Sequence, residues 1–416
     1  MTASVATRFP KLRALDVRPY QQYGRSYLLL RDPFQLTDKT MLIPQPLAAA
    51  LFLCDGTRDV DGISRSFALR YGLHISPQQV QDLVDSLDEA LMLDNDRSAQ
   101  AQLQVLDAYR QASFRTASLA GPAYPAEPAA LGRLLDDYLR EAAARHAGSN
   151  GAALNVVRGL LSPHIDYPRG GLVYAQVWRQ AMEAARAADL VVLFGTDHYG
   201  VDPFTLTRQN YATPYGVLPT EVSVVDALAQ AIGEEAAYAG ELRHRLEHSL
   251  ELVAVWLHHV RGGEPCAMAP ILCGGLHQHI QRGSDPVTDP LLNRVLDTLH
   301  AQTAGRRVLV AASGDLAHVG TAFGGAPLDA TTRQTVQRAD TELLDAMRAG
   351  DAAAFFRAIQ HVDNAHNVCG VAPIYLTMRL LERMDGPIRG QQAGYAACPA
   401  DATDTSLVTI GGVVFT

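Results

Sequence analysis

The chain has 416 residues, 48% hydrophobic and 19% charged, a balance that excludes disordered, collagenous and mucin-like classes and leaves room for two cores. A formal net charge of -9 gives no general attraction to phosphate backbones or anionic lipid, which argues against nucleic acid as a partner. Five cysteines are scattered without a C-x-x-C pair, the N-terminus lacks an apolar secretory core and no run of about 18 apolar residues occurs, so a reduced, cytoplasmic protein off the membrane is expected.

Residues 26–44 alternate short apolar runs with Asp-Pro and Thr-Asp-Lys turn signals, which predicts a small antiparallel ribbon. PLAAALFLCDG predicts a short helix stopped at Gly56, and DVDGISRSFALRYG a second ending at Gly72. The third is signalled best. Ser76 as N-cap, Pro77 at the first helical position and Gln79 completing a capping box precede a stripe of Val80, Leu83, Val84, Leu87 and Leu91. Over residues 17–97 the segments LLLRDPFQLTDKTMLI, LFLCDGTRDVDGI and VQDLVDSLDEALML follow the order of PqqD-like winged-helix domains, which the region resembles. Such domains recognise peptides, so the resemblance implies a peptide or protein partner and no catalytic residue. DNA binding is opposed by the third helix, whose charges are all acidic.

Residues 98–128 are rich in Ala, Gln, Ser, Gly and Pro, which reads as a linker with the domain junction near residue 110. Residues 1–110 then form the first domain and linker, and residues 111–416 the second. An amphipathic helix follows, with Leu131, Leu134, Leu135, Tyr138, Leu139 and Ala142 at i, i+3, i+4 spacing. From residue 154 the apolar runs NVVRGLL, LVVLF, MAPILC and RVLVAAS alternate with helical patterns such as VYAQVWRQAMEAARAA. Strands with no polar face are covered on both sides, so the class is α/β with a mainly parallel or mixed sheet between helices.

Three strands end in polar clusters containing histidine: LLSPHIDY, FGTDHYG and ASGDLAHVG. Ligands of open α/β sheets sit outside the carboxyl ends of the strands, so His164, His198 and His318 are expected to converge. A single loop histidine reads as a structural hydrogen-bonding residue; recurrence at three equivalent strand ends points to a site. Cys369 stands just before an apolar helix, where unpaired N–H groups and the dipole favour a thiolate. From its residues alone Cys369 reads rather as a buried structural thiol, the reading also given to Cys54, Cys266, Cys273 and Cys398. In EHSLE, Glu247 and Glu251 fall one turn apart beside His248, either as supporting groups of the site or as a solvated helical face. His258, His259, His277 and His279 lack strand-end placement and read as surface residues.

From about residue 112 the chain resembles the Memo family, also known as protein B of the AmmeMemoRadiSam system, through the collinear segments AGPAYP, SPHIDY, GTDHYG, TPYG, EHSLE, APILCGG, SGDLAH and HNVCGVAPI. The resemblance implies the fold of class III extradiol dioxygenases, non-haem iron enzymes that cleave catechol rings with two histidines, a carboxylate and a general-base histidine. Carried over, His164 and His198 become metal ligands, Cys369 replaces the ligand carboxylate, and His318, with Asp315 on its turn, takes the base position. A thiolate suits Cu(I), Zn(II) or iron better than Mg or Ca, so the implied cofactor is one metal ion, iron first and copper or zinc as alternatives. Asp166 and Asp197 depart from the usual family pattern, and either fix the imidazole tautomers or reach the metal themselves. The implied function is a non-haem metal oxidoreductase. Its rival is a scaffold holding a peptide or metal without turnover for a radical SAM partner, and the acidic balance disfavours a DNA-binding regulator.

Overall fold

A two-residue hairpin turn of type I′ needs positive φ at both positions, which Asn-Gly supplies and which Tyr23-Gly24 adopts here, at φ 49° and 71°. That turn joins β1 (Asp16–Gln22) to β2 (Arg25–Arg31), and β3 (Met41–Pro44) completes an antiparallel sheet in the order β1-β2-β3. The expected ribbon thus gains a strand at its front, hidden because Tyr-Gly is a weak hairpin signal. The computed structural model describes residues 8–145 and 156–416. Residues 1–7, at the start of the N-terminus read for a secretory core, and residues 146–155, including Asn155 of the first predicted α/β strand, lie outside the described residues. Two units are resolved, residues 1–111 and 112–416.

In the first unit α1 (Gln45–Leu51) stops short of Gly56, because the N–H groups of Leu53 and Cys54 turn back to Ala50 and Leu51. Asp59 caps α2 (Val60–Tyr71), which ends on left-handed Gly72, and the Ser76/Gln79 capping box starts α3 (Pro77–Glu89). Leu91, expected on the α3 stripe, lies beyond the helix at φ 56° and is half-buried. The larger correction is α4 (Asp96–Gln111), a helix where a linker was expected. Ala and Gln are good helix formers, and their small or polar character was misread as looseness. The core of this unit closes within residues 30–93, around Ile43, Ile63, Phe67, Val80 and Leu87. A fragment of residues 1–111 should therefore unfold cooperatively in urea; a broad, dye-binding transition would show that it cannot fold alone.

The second unit runs α5 (Pro128–Arg145), β4 (Gly159–Ser162), α6 (Tyr167–Ala187), β5 (Leu190–Thr196), β6 (Thr205–Leu206), β7 (Tyr211–Thr213), β8 (Gly216–Leu218), α7 (Val222–Ile232), α8 (Glu234–Tyr238) and α9 (His248–Val260). It continues through β9 (Ala267–Cys273), α10 (His277–Arg282), α11 (Pro290–Thr303), β10 (Val308–Ser313), β11 (His318–Gly320), α12 (Ala330–Ala349), α13 (Ala352–His361), α14 (Val371–Asp385), β12 (Gly390–Pro399) and β13 (Ser406–Phe415). The main sheet has the order β11-β13-β4-β10-β5-β9-β6, with β12 also on β13. Its centre, β4-β10-β5-β9, is parallel, and the flanking pairs are antiparallel, so the sheet is mixed.

The two-residue period of a strand sends neighbours to opposite faces, which the apolar runs exploit. Leu161, Val192, Phe194, Val310 and Ala312 share one core with buried residues of α7, α11 and α14, while Leu160, Val191, Leu193, Leu309 and Ala311 share the other with α6 and α9. Among the described residues no helix is long and apolar enough to cross a membrane.

Candidate metal centre

Because β4, β10 and β5 are adjacent and parallel, the loops that leave their carboxyl ends meet on one side of the sheet. β4 leads to His164, β5 to Asp197 and His198, and β10 to Asp315 and then His318. A fourth contribution is the start of α9. Ser249 Oγ donates to the Thr196 carbonyl at 2.8 Å and Ser313 Oγ donates to the Ser249 carbonyl at 2.5 Å, which docks this helix end onto the strand ends. Gly195 permits the approach, since a Cβ there would lie 2.6 Å from a Leu250 methyl.

His164, His198 and His248 each offer one ring nitrogen within 4.8 Å of the others. Their ring centroids are 5.0 Å (His164–His198), 5.2 Å (His164–His248) and 4.5 Å (His198–His248) apart. Nδ1 is engaged in every ring. Glu247 Oε1 accepts from His198 Nδ1 at 3.0 Å and from His248 Nδ1 at 3.1 Å, while its Oε2 accepts from the His198 backbone N–H. The Ser313 hydroxyl proton already goes to Ser249, so His164 Nδ1, 3.2 Å from Ser313 Oγ, must be the donor of that contact. Nδ1–H is thereby fixed in all three rings, and Nε2 is the position left for a metal.

Burial pushes His164 well below the usual histidine pKa, helped by the neighbouring His198 and His248, so that ring is neutral. Burial also resists charge on His198, but Glu247 and the Cys369 thiol outweigh it and raise the pKa well above the ordinary value. A metal must displace that proton. Glu247 is buried too, yet the two histidines hold it well below the carboxylate range.

Cys369 Sγ lies 3.1 Å from His164 Nε2 and accepts from the Asp315 N–H at 3.3 Å. This depends on close backbone approach: a Cβ on Gly314 would stand 2.5 Å from the Gly370 Cα. Burial raises the thiol pKa against the pull of His198, so the lowering expected from α14 does not prevail, and Gly370 rather than Cys369 is the N-cap of that helix. Cys369 is half-buried, whereas the other four cysteines are buried free thiols. Tetrahedral bonds of about 2.0–2.1 Å to nitrogen and 2.3 Å to sulfur separate donors by roughly 3.3–3.5 Å. Small side-chain movements would bring the nitrogens of His164, His198 and His248 to such spacings, and that set fits a metal ion; Cys369 Sγ lies beside His164 but outside this three-ring group.

The Asp315 carboxylate accepts from the His164 N–H at 2.8 Å and lies 3.9 Å from His164 Nε2. His318 Nδ1 is 3.1 Å from the carbonyls of both Leu316 and Asn367, so Nδ1 donates and Nε2 is the basic nitrogen. Burial lowers the His318 pKa, offset in part by Asp315, which keeps the ring neutral near pH 7.

Other expected residues lie elsewhere. Glu251 accepts from Arg115 (2.5 Å), the Ser118 N–H and hydroxyl, the Leu119 N–H and Tyr124 Oη, binding residues 115–124 to α9 and not supporting the imidazoles. Asp166 caps α6 and pairs with Arg169, and Asp197 pairs with Arg243 at 2.7 Å. The surface reading of four histidines holds for His277 alone. His258 is buried between Thr213 and the Gly263 carbonyl because α9 is covered nearly all round, His259 bonds Tyr215 and Asp136, and His279 bonds Ser284 and Asp289. Sequence reading foresaw His248 only as a supporting group and missed Ser313, Arg115 and Arg243. The adjacent Glu-His-Ser at a helix start was the available signal.

The family model described as Memo-like protein matches residues 115–414. A MEMO1 family protein of Aquifex aeolicus (strain VF5) is 25% identical over 407 residues, 98% of this chain and 99% of that protein, a similarity that includes the first unit. One from Methanosarcina acetivorans is 28% identical over 231 residues, 55% of this chain and 75% of that protein. Another, from Thermus thermophilus, is 26% identical over 337 residues, 80% of this chain and 92% of that protein.

Proposed function

The chain belongs to the Memo-like protein family, and from that premise we propose that His164, His198 and His248 hold one transition-metal ion, with Cys369 as a fourth donor, in a metal-dependent oxidoreductase. One observation carries the reading: how the three rings are bonded compared with structural histidines of the same chain. His244, His258 and His279 each bond through both ring nitrogens. The three clustered rings are held at Nδ1 by Glu247 and Ser313, and their second nitrogens lie within 4.8 Å of one another, with His164 Nε2 meeting the Cys369 thiol and not a carbonyl, hydroxyl or carboxylate.

Imidazoles and a thiol select iron, copper or zinc over Mg or Ca, and iron is the first candidate. Bound iron or copper would supply a redox-active Lewis acid. Around it Glu247 keeps two rings in register, Cys369 yields its proton on ligation, and the neutral His318 accepts or returns a substrate proton at Nε2.

Elemental analysis after anaerobic purification should give one such metal per chain. His248→Ala should lose it as fully as His164→Ala, whereas His318→Ala should retain metal and lose O₂ consumption. Full metal in His248→Ala with none in Cys369→Ala would return the ligand set to His164, His198 and Cys369. Metal without O₂ consumption in the unaltered protein would favour a binding scaffold.

A further inference from the structure

We propose that Arg243 is a positioning residue for this centre, fixing the loop that carries His198; the proposal rests on the metal-site reading above. His198 is an exposed residue and stands on the excursion between β5, ending at Thr196, and β6, starting at Thr205. That excursion also exposes Tyr199 and Val201, so apolar packing does little to hold it.

Arg243 supplies the missing anchorage. It lies in the 3₁₀ turn Glu241–Arg245 just before α9. Its Nε donates to Asp197 Oδ2 at 2.7 Å, and its Nη2 donates to Asp202 Oδ2 at 2.5 Å and to Thr205 Oγ1 at 2.7 Å. One guanidinium thus grips the excursion before His198, after it and at its far end. The Arg243 side chain is 10% exposed and the Asp197 side chain 0%, so this is a buried pair whose geometry is set by the fold and not by solvent. The same short segment holds the loop twice, because the Glu247 N–H donates to the Arg243 carbonyl at 3.1 Å and Glu247 bonds His198 directly.

A slot for the guanidinium is built in. A Cβ at Gly200 or at Gly240 would overlap it. Gly240 has φ −103° and ψ 13°, open to other residues, so glycine is needed there for space and not for backbone conformation. Groups behind a metal-binding histidine set its ring position, and losing one typically costs about 10–100-fold in affinity.

Co(II) is the probe, with affinity read by competition against a chromogenic chelator and donor geometry read from its visible absorption. Arg243→Met should bind Co(II) about 10–100-fold more weakly, with an altered spectrum and faster amide exchange over residues 197–204. Gly240→Ala keeps every clamp group but fills the slot, and should give the same changes in a chain that folds. Arg243→Lys, with no fork to span two carboxylates, should recover only part of the affinity. Unchanged Co(II) affinity and spectrum in either Arg243→Met or Gly240→Ala would overturn the role of Arg243. Absence of Co(II) binding by the unaltered protein would instead overturn the metal reading beneath it.

Discussion

Replacing Glu247 by alanine is expected to weaken metal binding by about 10²–10⁴-fold, the product of two lost ring supports at roughly 10–100-fold each. No other side chain in the site serves as many partners. It accepts from Nδ1 of His198 and His248, from the His198 N–H and, as the N-cap of α9, from the Ser249 N–H. Loss of the cap should cost a further ~1 kcal/mol of stability. Glutamine keeps the shape and, with its oxygen at the Oε1 position, can keep the ring and cap bonds, but it sets its N–H₂ against the His198 N–H, so Glu247→Gln should fold nearly as well as the parent and bind between the parent and Glu247→Ala. Titration calorimetry with Zn(II), beside a urea melt of each variant, separates the two effects. Binding by Glu247→Ala within threefold of the parent would remove Glu247 from the account.

The largest effect on folding is expected at Arg115, not at any histidine. Its guanidinium is fully buried and donates to Glu251 at 2.5 Å and to the carbonyls of Thr116, His244 and Glu247 at 3.0, 2.7 and 3.0 Å. Arg115→Met leaves the Glu251 carboxylate buried without its counter-charge, an event that costs about 3–5 kcal/mol. Glu251→Gln should cost less, since the amide oxygen can still accept from some of Ser118, Leu119 and Tyr124. The double variant should lose less stability than the sum of the two single losses, because both charges leave together. Urea unfolding of the four proteins completes the cycle, and strict additivity would mean that the pair is not coupled.

Which parts of this were legible follows from the range of the signals. His164, His198 and His318 were found because a strand followed by a polar histidine cluster is a local pattern, and parallel strands gather such ends by rule. Ser76, Gln79 and Gly72 were found because caps act within one turn. The place of His248 beside His164 and His198 was not legible, because it depends on Glu247 facing the strand ends while Glu251, one turn later, faces residues 115–124. Helical spacing alone placed both on one face and could not tell their destinations. His258 was misplaced because a helix apolar nearly all round has no stripe from which to read an outside. Arg115 and Arg243 each act across loops, Arg115 on Glu251 more than a hundred residues away, and no periodicity marks them.

The strand that completes the sheet bears on how the molecule is made. β13 lies between β4 and β11, with Val413 opposite Leu161 and Val408 opposite His318. The first of these pairings joins residues roughly 250 apart, a long closure in sequence. Until it occurs, β4, the strand that presents His164, has a bare apolar edge on that side. An intermediate of this kind is prone to pair with a second copy of itself. The late pairing therefore closes the sheet beside β4, while the histidines themselves are gathered by the ends of β4, β10 and β5 and the start of α9.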